Sequence, residues 1–255
     1  MELIRSRRNP LLQQVRQLLE RPRERQACGL AVLEGEHLLA DWLGAGRPVE
    51  RVLLAASRAH EAPRWSGAGT PVQWVDDDCL RSVSGAGSCA GVLALVPIPA
   101  AVPVSSGSVV VLDGVQDPGN VGTIIRSAAA SGFDQVWLGP GCADAWSWKV
   151  LRAGQGAHAT LSVCQGLDLP AALARHAGRK VALVPHNGVP LHQADLRGDV
   201  VLLLGGEGGG LGEAAAAAAD VVVSIPMPGA AESLNVAVAA AVAMYERVRQ
   251  SLTSA

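Results

Sequence analysis

Apolar positions fall into two periods along this chain. After Asn9-Pro10, residues Leu11, Leu12, Val15, Leu18 and Leu19 recur at helical spacing. An Asn cap followed by Pro at the first helical position marks the start of that helix. Short apolar runs then predict strands at LAVLEG (30–35), RVLLAAS (51–57), QWVD (73–76) and GVLALVP (91–97), with HLLADWLGAG (37–46) a helix ended by glycines. This alternation predicts a small α/β domain over residues 1–98. Pro97, Pro99 and Pro103, followed by Ser-Ser-Gly, cannot serve a central strand, so 99–107 is predicted as a linker. From 108 to 255 the alternation strengthens. VVVLDGV (109–115), QVWLGP (135–140), LSVCQ (161–165), KVALVPH (180–186), VVLLLGG (200–206) and VVVSIP (221–226) are six candidate strands. Near-continuous Val and Leu imply burial on both faces, hence a mostly parallel sheet flanked by helices. The last helix is predicted to begin at Ser233.

Composition adds limits. With 255 residues, 49% of them hydrophobic, the chain can bury a sizeable core. No run approaches the ~18 apolar residues of a membrane span, and no apolar segment follows MELIRSRRNP as in a secretory signal. Five cysteines, at 28, 79, 89, 142 and 164, are an odd number without metal-ligand spacing. They point to reduced thiols in the cytoplasm and to no metal site. The formal charge of −2 argues against a uniformly basic nucleic-acid coat. Its distribution changes the picture: residues 1–104 carry 12 basic against 11 acidic residues, and 105–255 carry 9 against 12. Seven Arg and three Glu fall in the first 25 residues. That cluster is either a solvated helix face or a phosphate-contacting surface, since guanidinium forks match phosphate oxygens.

Three glycine-containing loops follow strands: DGVQDPGNVGTIIRSA (113–128), GGEGGGLGEA (205–214) and IPMPGAAESLNVAVA (225–239). In a parallel sheet all three lie at carboxyl ends, where ligands bind. None has the lysine of a phosphate-binding P-loop. GEGGGL comes too late in its domain, and lacks the following acidic residue, for a dinucleotide fingerprint. No GxSxG nucleophile elbow is present.

In this order and spacing the three loops resemble the three signature motifs of the SpoU/TrmH branch of the SPOUT RNA methyltransferases, and SWKVLRAGQGAHATLSV (147–163) resembles the family's segment between the first and second. The likeness spans nearly all of 107–250. SRRNPLLQQVRQLL, LAVLEGEHLLADWL and SGAGSCAGVLALV look more loosely like the ribosomal-protein-like substrate-binding domain that precedes the catalytic domain in many members. The resemblance implies an α/β catalytic domain with a deep trefoil knot, pairing as a homodimer through that domain. The implied reaction moves a methyl group from S-adenosylmethionine to a ribose 2′-hydroxyl of RNA, ribosomal RNA ahead of transfer RNA.

Carried over position by position, the family's catalytic residues fall on Asn120, Arg126, Glu207, Ser233 and Asn235. Its cofactor contacts fall on Pro185, Gly205, Glu207, Ile225, Met227 and Leu234. RNA contacts are expected from Arg5, Arg7, Arg8, Arg126, Lys149 and Arg152. Simpler roles stand beside these: Asn120 and Ser233 as helix caps, Glu207 as a solvated loop carboxylate or as the group orienting Arg126, His158 as a packing residue. Trp137, Trp146 and Trp148 could stack bases or fill the core. Four departures are visible: Gly206 stands where the family usually has Asn or Ser, Gly154 where it usually has Ser, Cys89-Ala90-Gly91 where it often has Pro-Gln-Gly, and Leu11-Leu12-Gln13-Gln14 where a Lys often follows the Asn-Pro. A non-catalytic RNA-binding or assembly protein, and an oxidoreductase resting on GEGGGL alone, are the readings of other classes.

Overall fold

A computed structural model describes residues 3–85, 90–230 and 232–253. Cys89 and the rest of 86–89, and Ala231 of the third loop, lie outside the described residues. In chain order the first part runs α1 (Pro10–Glu20), α2 (Pro22–Cys28), β1 (Leu30–Glu34), α3 (Glu36–Gly44), β2 (Arg51–Ala55), α4 (Ala62–Trp65), β3 (Val72–Val75), α5 (Asp77–Arg81) and β4 (Val92–Pro97). The remainder runs β5 (Val109–Asp113), α6 (Pro118–Ala130), β6 (Gln135–Leu138), α7 (Trp148–Gly154), β7 (Ser162–Gln165), α8 (Leu169–Arg175), β8 (Arg179–Val184), β9 (Val189–Pro190), β10 (Val200–Gly205), α9 (Glu213–Ala217), β11 (Val221–Ser224) and α10 (Val236–Leu252).

The chain divides into two compact units. The first holds residues 1–99 and 146–159, the second 100–145 and 160–255. The segment 146–159, within the span predicted as one C-terminal domain, therefore packs in the first unit, with α7 against β1. A strand-and-loop pattern cannot show this, because only tertiary packing decides which sheet a connecting helix covers.

In the first unit four strands lie in the order β1-β4-β2-β3. The β1–β4 and β4–β2 pairs are antiparallel and β2–β3 is parallel. Asn9 caps α1, its Oδ1 accepting from the Leu11 N–H at 2.9 Å. Leu12, Val15, Leu18 and Leu19 are buried from one face of that helix against Leu53, Leu93 and Leu95 of the sheet. Each such side chain contributes roughly 1.5–3 kcal/mol by leaving water. Helix α2, which follows Arg21 and opens on Pro22, is not legible in the apolar pattern because its sequence, PRERQAC, is mostly polar.

The second unit is a seven-stranded parallel sheet in the order β7-β6-β5-β10-β8-β11-β9. All six predicted strands are present, five ending a residue or two early, with β7 starting one residue late and β8 one residue early; β9, two residues long, is additional. The four ladder residues Val109–Leu112 and the five of Val200–Leu204 are fully buried, as expected of strands covered on both faces. The predicted linker is tied down. Gln135 is buried on β6, its Nε2 donating to the Val102 carbonyl at 3.0 Å while its Oε1 accepts from the Val104 N–H at 3.2 Å.

Among the described residues no helix is long and apolar enough to cross a membrane. Trp137 and Trp146 are core residues, and His158 is buried against Trp146 with ring centroids 5.2 Å apart. Trp148 alone of these three tryptophans is partly exposed.

Candidate active site

At the carboxyl pole of the second unit's sheet, the ends of β8, β10 and β11 enclose a cavity of about 240 Å³. Pro185 follows β8, Gly205 and Glu207 lie at the end of β10, Ile225 and Met227 follow β11, and Ser233 and Leu234 precede α10; all seven line it. The six predicted cofactor positions are thus together. Asn120, Arg126 and Asn235 lie outside the lining.

The glycine loop after β10 is shaped by close approach. A Cβ on Gly205 would come within 2.0 Å of the Gly210 carbonyl carbon, and one on Gly206 within 2.1 Å of the Gly114 carbonyl oxygen. Only glycine permits that backbone contact. At Gly206, therefore, a side chain is excluded by the path of the first loop, which is a physical reason for its departure from the family's Asn or Ser. The loop is pinned from the neighbouring strand as well. The Gly206 N–H donates to the Asp113 carbonyl at 2.9 Å, and the Gly212 N–H to the Asp113 Oδ2 at 2.8 Å. Asp113 was not anticipated. Its role depends on the β5–β10 register, which pairs it with Gly205, and no spacing rule carries that information.

Side chains join all three loops. Asn120 Nδ2 donates to Glu207 Oε1, and Asn235 Nδ2 donates to Asn120 Oδ1 at 3.0 Å. An amide is suited to the middle place because it both donates and accepts. Asn235 is held in turn as the cap of α10, its Oδ1 accepting from Ala237 N (2.9 Å) and Val238 N (3.3 Å). This corrects the expectation that the last helix begins at Ser233: the cap is Asn235 and the first helical residue Val236. Asn120 is likewise no cap. Asp117 caps α6, accepting from the Asn120 N–H at 2.8 Å with Pro118 in the first turn, which leaves the Asn120 amide free for the inter-loop bonds.

Arg126 stands apart from this chain of bonds. Six residues beyond Asn120, it is rotated by roughly 120° around a helix of 3.6 residues per turn. It is exposed, and its guanidinium has no hydrogen bond or ion pair among the described residues. Glu207 therefore meets Asn120 and does not orient Arg126.

The predicted RNA contacts are at the surface. Arg5, Arg7 and Arg8 are exposed ahead of α1, and Lys149 and Arg152 are exposed on α7. Arg25, from the same basic cluster, is 3% exposed and donates to the Leu18 and Leu19 carbonyls at the end of α1. It satisfies carbonyls that the helix leaves open. Among the described residues no group of three His, Cys, Asp or Glu is placed to hold a metal ion.

The chain is similar to known proteins over most of its length. A family model described as the SpoU rRNA Methylase family matches residues 107–245, and one described as an MRM3-like substrate binding domain matches 9–94. The chain is 33% identical over 230 residues to the 23S rRNA (guanosine(2553)-2'-O)-methyltransferase RlmP of Bacillus subtilis (strain 168), covering 89% of this chain and 92% of that one. Among solved structures it is similar to the SpoU methyltransferase AviRb from Streptomyces viridochromogenes in complex with the cofactor AdoMet, with a TM-score of 0.86, 29% identity, and 96% and 99% of the two chains covered. An AdoMet-bound rRNA methyltransferase from Sinorhizobium meliloti gives a TM-score of 0.86 at 26% identity, covering 98% of each chain.

Proposed function

The chain belongs to the SpoU rRNA Methylase family, and from that premise we propose that it transfers a methyl group from S-adenosylmethionine to a ribose 2′-hydroxyl of RNA, ribosomal RNA ahead of transfer RNA. The observation that carries this reading is the Glu207–Asn120–Asn235 chain of hydrogen bonds, which joins the three loops beside the cavity.

The cavity fits the cofactor. Ile225, Met227 and Leu234 supply apolar walls for an adenine ring, and Gly205 brings main-chain groups close where a side chain would block them. Pro185 and Glu207 complete the set. When bound, S-adenosylmethionine supplies a methyl carbon already activated by its sulfonium. The protein's own task is to orient the hydroxyl and help it lose a proton. Arg126 binds the phosphate next to the target ribose and stabilises the developing alkoxide, while the proton leaves toward that phosphate. A guanidinium holds its proton at neutral pH and is no base there. Asn120, Glu207, Ser233 and Asn235 hold the loops in register around the ribose.

In this reading residues 1–98 bind the RNA substrate, 99–107 connect, and 108–255, apart from the segment 146–159 that packs in the first unit, form the catalytic domain with its trefoil knot. Arg5, Arg7, Arg8, Lys149 and Arg152 contact phosphates. The enzyme acts in the cytoplasm as a homodimer through the C-terminal domain. The pairing is supported by an apolar stripe on α10: Val238, Val242 and Tyr245, spaced by four and three residues, are 51%, 41% and 53% exposed.

Incubation with tritiated S-adenosylmethionine and separate pools of unmodified ribosomal and transfer RNA tests the proposal. Label in the ribosomal pool is expected. Label in neither, from protein that binds RNA, would make it a non-catalytic RNA-binding or assembly protein.

A further inference from the structure

The first unit holds a second cavity, of about 420 Å³, whose lining includes Glu34, Glu36, Trp148, Arg152 and Gln155. None of these belongs to the three loops of the candidate active site. From this juxtaposition we infer that the first unit binds one unpaired guanine nucleotide of the RNA substrate, other than the nucleotide that is methylated. The inference rests on the reading of the chain as an RNA-modifying enzyme.

The two carboxylates at the cavity differ. Glu36 is neutralised: it accepts from Arg58 Nη2 and, at 2.9 Å, from Arg64 Nη1, and Arg58 is shared with Glu61. Among the described residues Glu34 is held by neutral donors, the Ser84 hydroxyl on Oε1 and the Gly85 N–H on Oε2 at 3.2 Å. It has a fixed orientation and unused lone pairs on both oxygens. A carboxylate so presented suits a partner with two adjacent N–H donors. Among the four RNA bases only guanine has these on its Watson–Crick edge, at N1 and N2. Adenine and cytosine offer one exocyclic amine each.

The cavity also has a stacking surface. A Cβ on Gly85 would lie 2.8 Å from Trp148 Cδ2, so the Gly85 backbone packs directly on the indole and fixes its plane. Trp148 remains partly exposed, and unpaired bases stack on such rings. Arg152, one turn further along α7, is exposed and has no side-chain partner among the described residues. It is available to the phosphate of the same nucleotide. An aromatic plane, a charged double acceptor and a free guanidinium are together the complement of a guanine nucleotide.

Fluorescence anisotropy with the full chain and labelled hexaribonucleotides tests this. UGUGUG is expected to bind roughly tenfold more tightly than UAUAUA or UCUCUC, the scale of one paired base edge. Glu34→Gln should abolish that preference while leaving the melting temperature unchanged. Trp148→Ala should weaken all three by about tenfold, and Trp148→Phe should restore most of the loss. Equal binding of the three oligonucleotides by the unmodified chain, absence of binding, or an unchanged preference in Glu34→Gln would overturn the inference. A parallel titration with S-adenosylmethionine keeps the two readings apart. A chain that binds the cofactor but shows no guanine preference refutes the pocket alone; one that prefers UGUGUG without binding the cofactor supports the pocket and refutes methyl transfer.

Discussion

In the first unit, three arginines are committed to the fold. Arg25 closes the end of α1, Arg47 Nε donates to the Ala159 carbonyl at 2.9 Å, and Arg58 is shared between Glu36 and Glu61. At the carboxyl pole of the second unit the fixed elements are a carboxylate, two amides and backbone, and the arginine, Arg126, is left without a partner. A guanidinium held by a carboxylate must give up that bond before it can serve a phosphate. One kept free can bind the substrate at once. Arg25, Arg47 and Arg58 therefore serve the fold, whereas Arg126, like Arg152 of the first unit, is exposed and left for another partner.

The comparison breaks most readily at the glycine loop. Gly205→Ala places a Cβ 2.0 Å from the Gly210 backbone. Overpacking of this kind costs about 1–3 kcal/mol, so calorimetric titration should show S-adenosylmethionine binding weakened by up to roughly 100-fold. The first unit's RNA affinity should be untouched.

Asn235→Asp separates the two tasks of that residue. The carboxylate still caps α10 but cannot donate to Asn120. Methyl transfer should fall by up to about tenfold, the worth of one hydrogen bond, with the melting temperature held. Asn235→Ala should lose the same activity together with about 1 kcal/mol of stability. Equal melting temperatures for the two variants would show that the cap contributes nothing.

Arg25→Met tests the structural use. Leaving the Leu18 and Leu19 carbonyls buried without a donor should cost about 1–3 kcal/mol in denaturant unfolding. Affinity for S-adenosylmethionine should not change.

The smallest effect is expected from Glu246 on α10. The Arg249 guanidinium, and then the Gln250 amide, hold its carboxyl down at about 2 against an ordinary 4.5. A depressed acid adds stability that is complete above the unfolded value and lost as pH falls from about 4.5 toward 2. Glu246→Gln should flatten the melting temperature over that window, lower it slightly near pH 7 where the carboxylate's contribution is complete, and converge with the natural chain near pH 2.

Much of this was legible in the chain. Asn9-Pro10 and the Leu12/Val15/Leu19 face fixed α1, and unbroken Val-Leu runs marked the parallel strands, because burial on one or two faces leaves a direct trace in residue type. The cofactor positions came from the family resemblance, and they line one cavity. Three things were not legible, all for the same reason. Asp113 acts through strand register, α7 joins the first unit through packing, and Gly206 is dictated by a loop some ninety residues earlier in sequence. Each depends on a contact between distant parts of the chain. Local signals also misplaced a cap: Ser233 is a good N-cap residue by type, but the helix begins two residues later than that cap would put it, where Asn235 can both cap and reach Asn120.

The central claim, methyl transfer to a ribose 2′-hydroxyl with Arg126 as the activating group, is tested most directly by the chemical identity of the product. Unmodified ribosomal RNA treated with the protein and S-adenosylmethionine would be digested to nucleosides and analysed by mass spectrometry. A ribose-methylated nucleoside is expected with the natural chain and none with Arg126→Ala, whose melting temperature should be unchanged. A methyl group on a base, or an Arg126→Ala variant that turns over like the natural chain, would contradict the account.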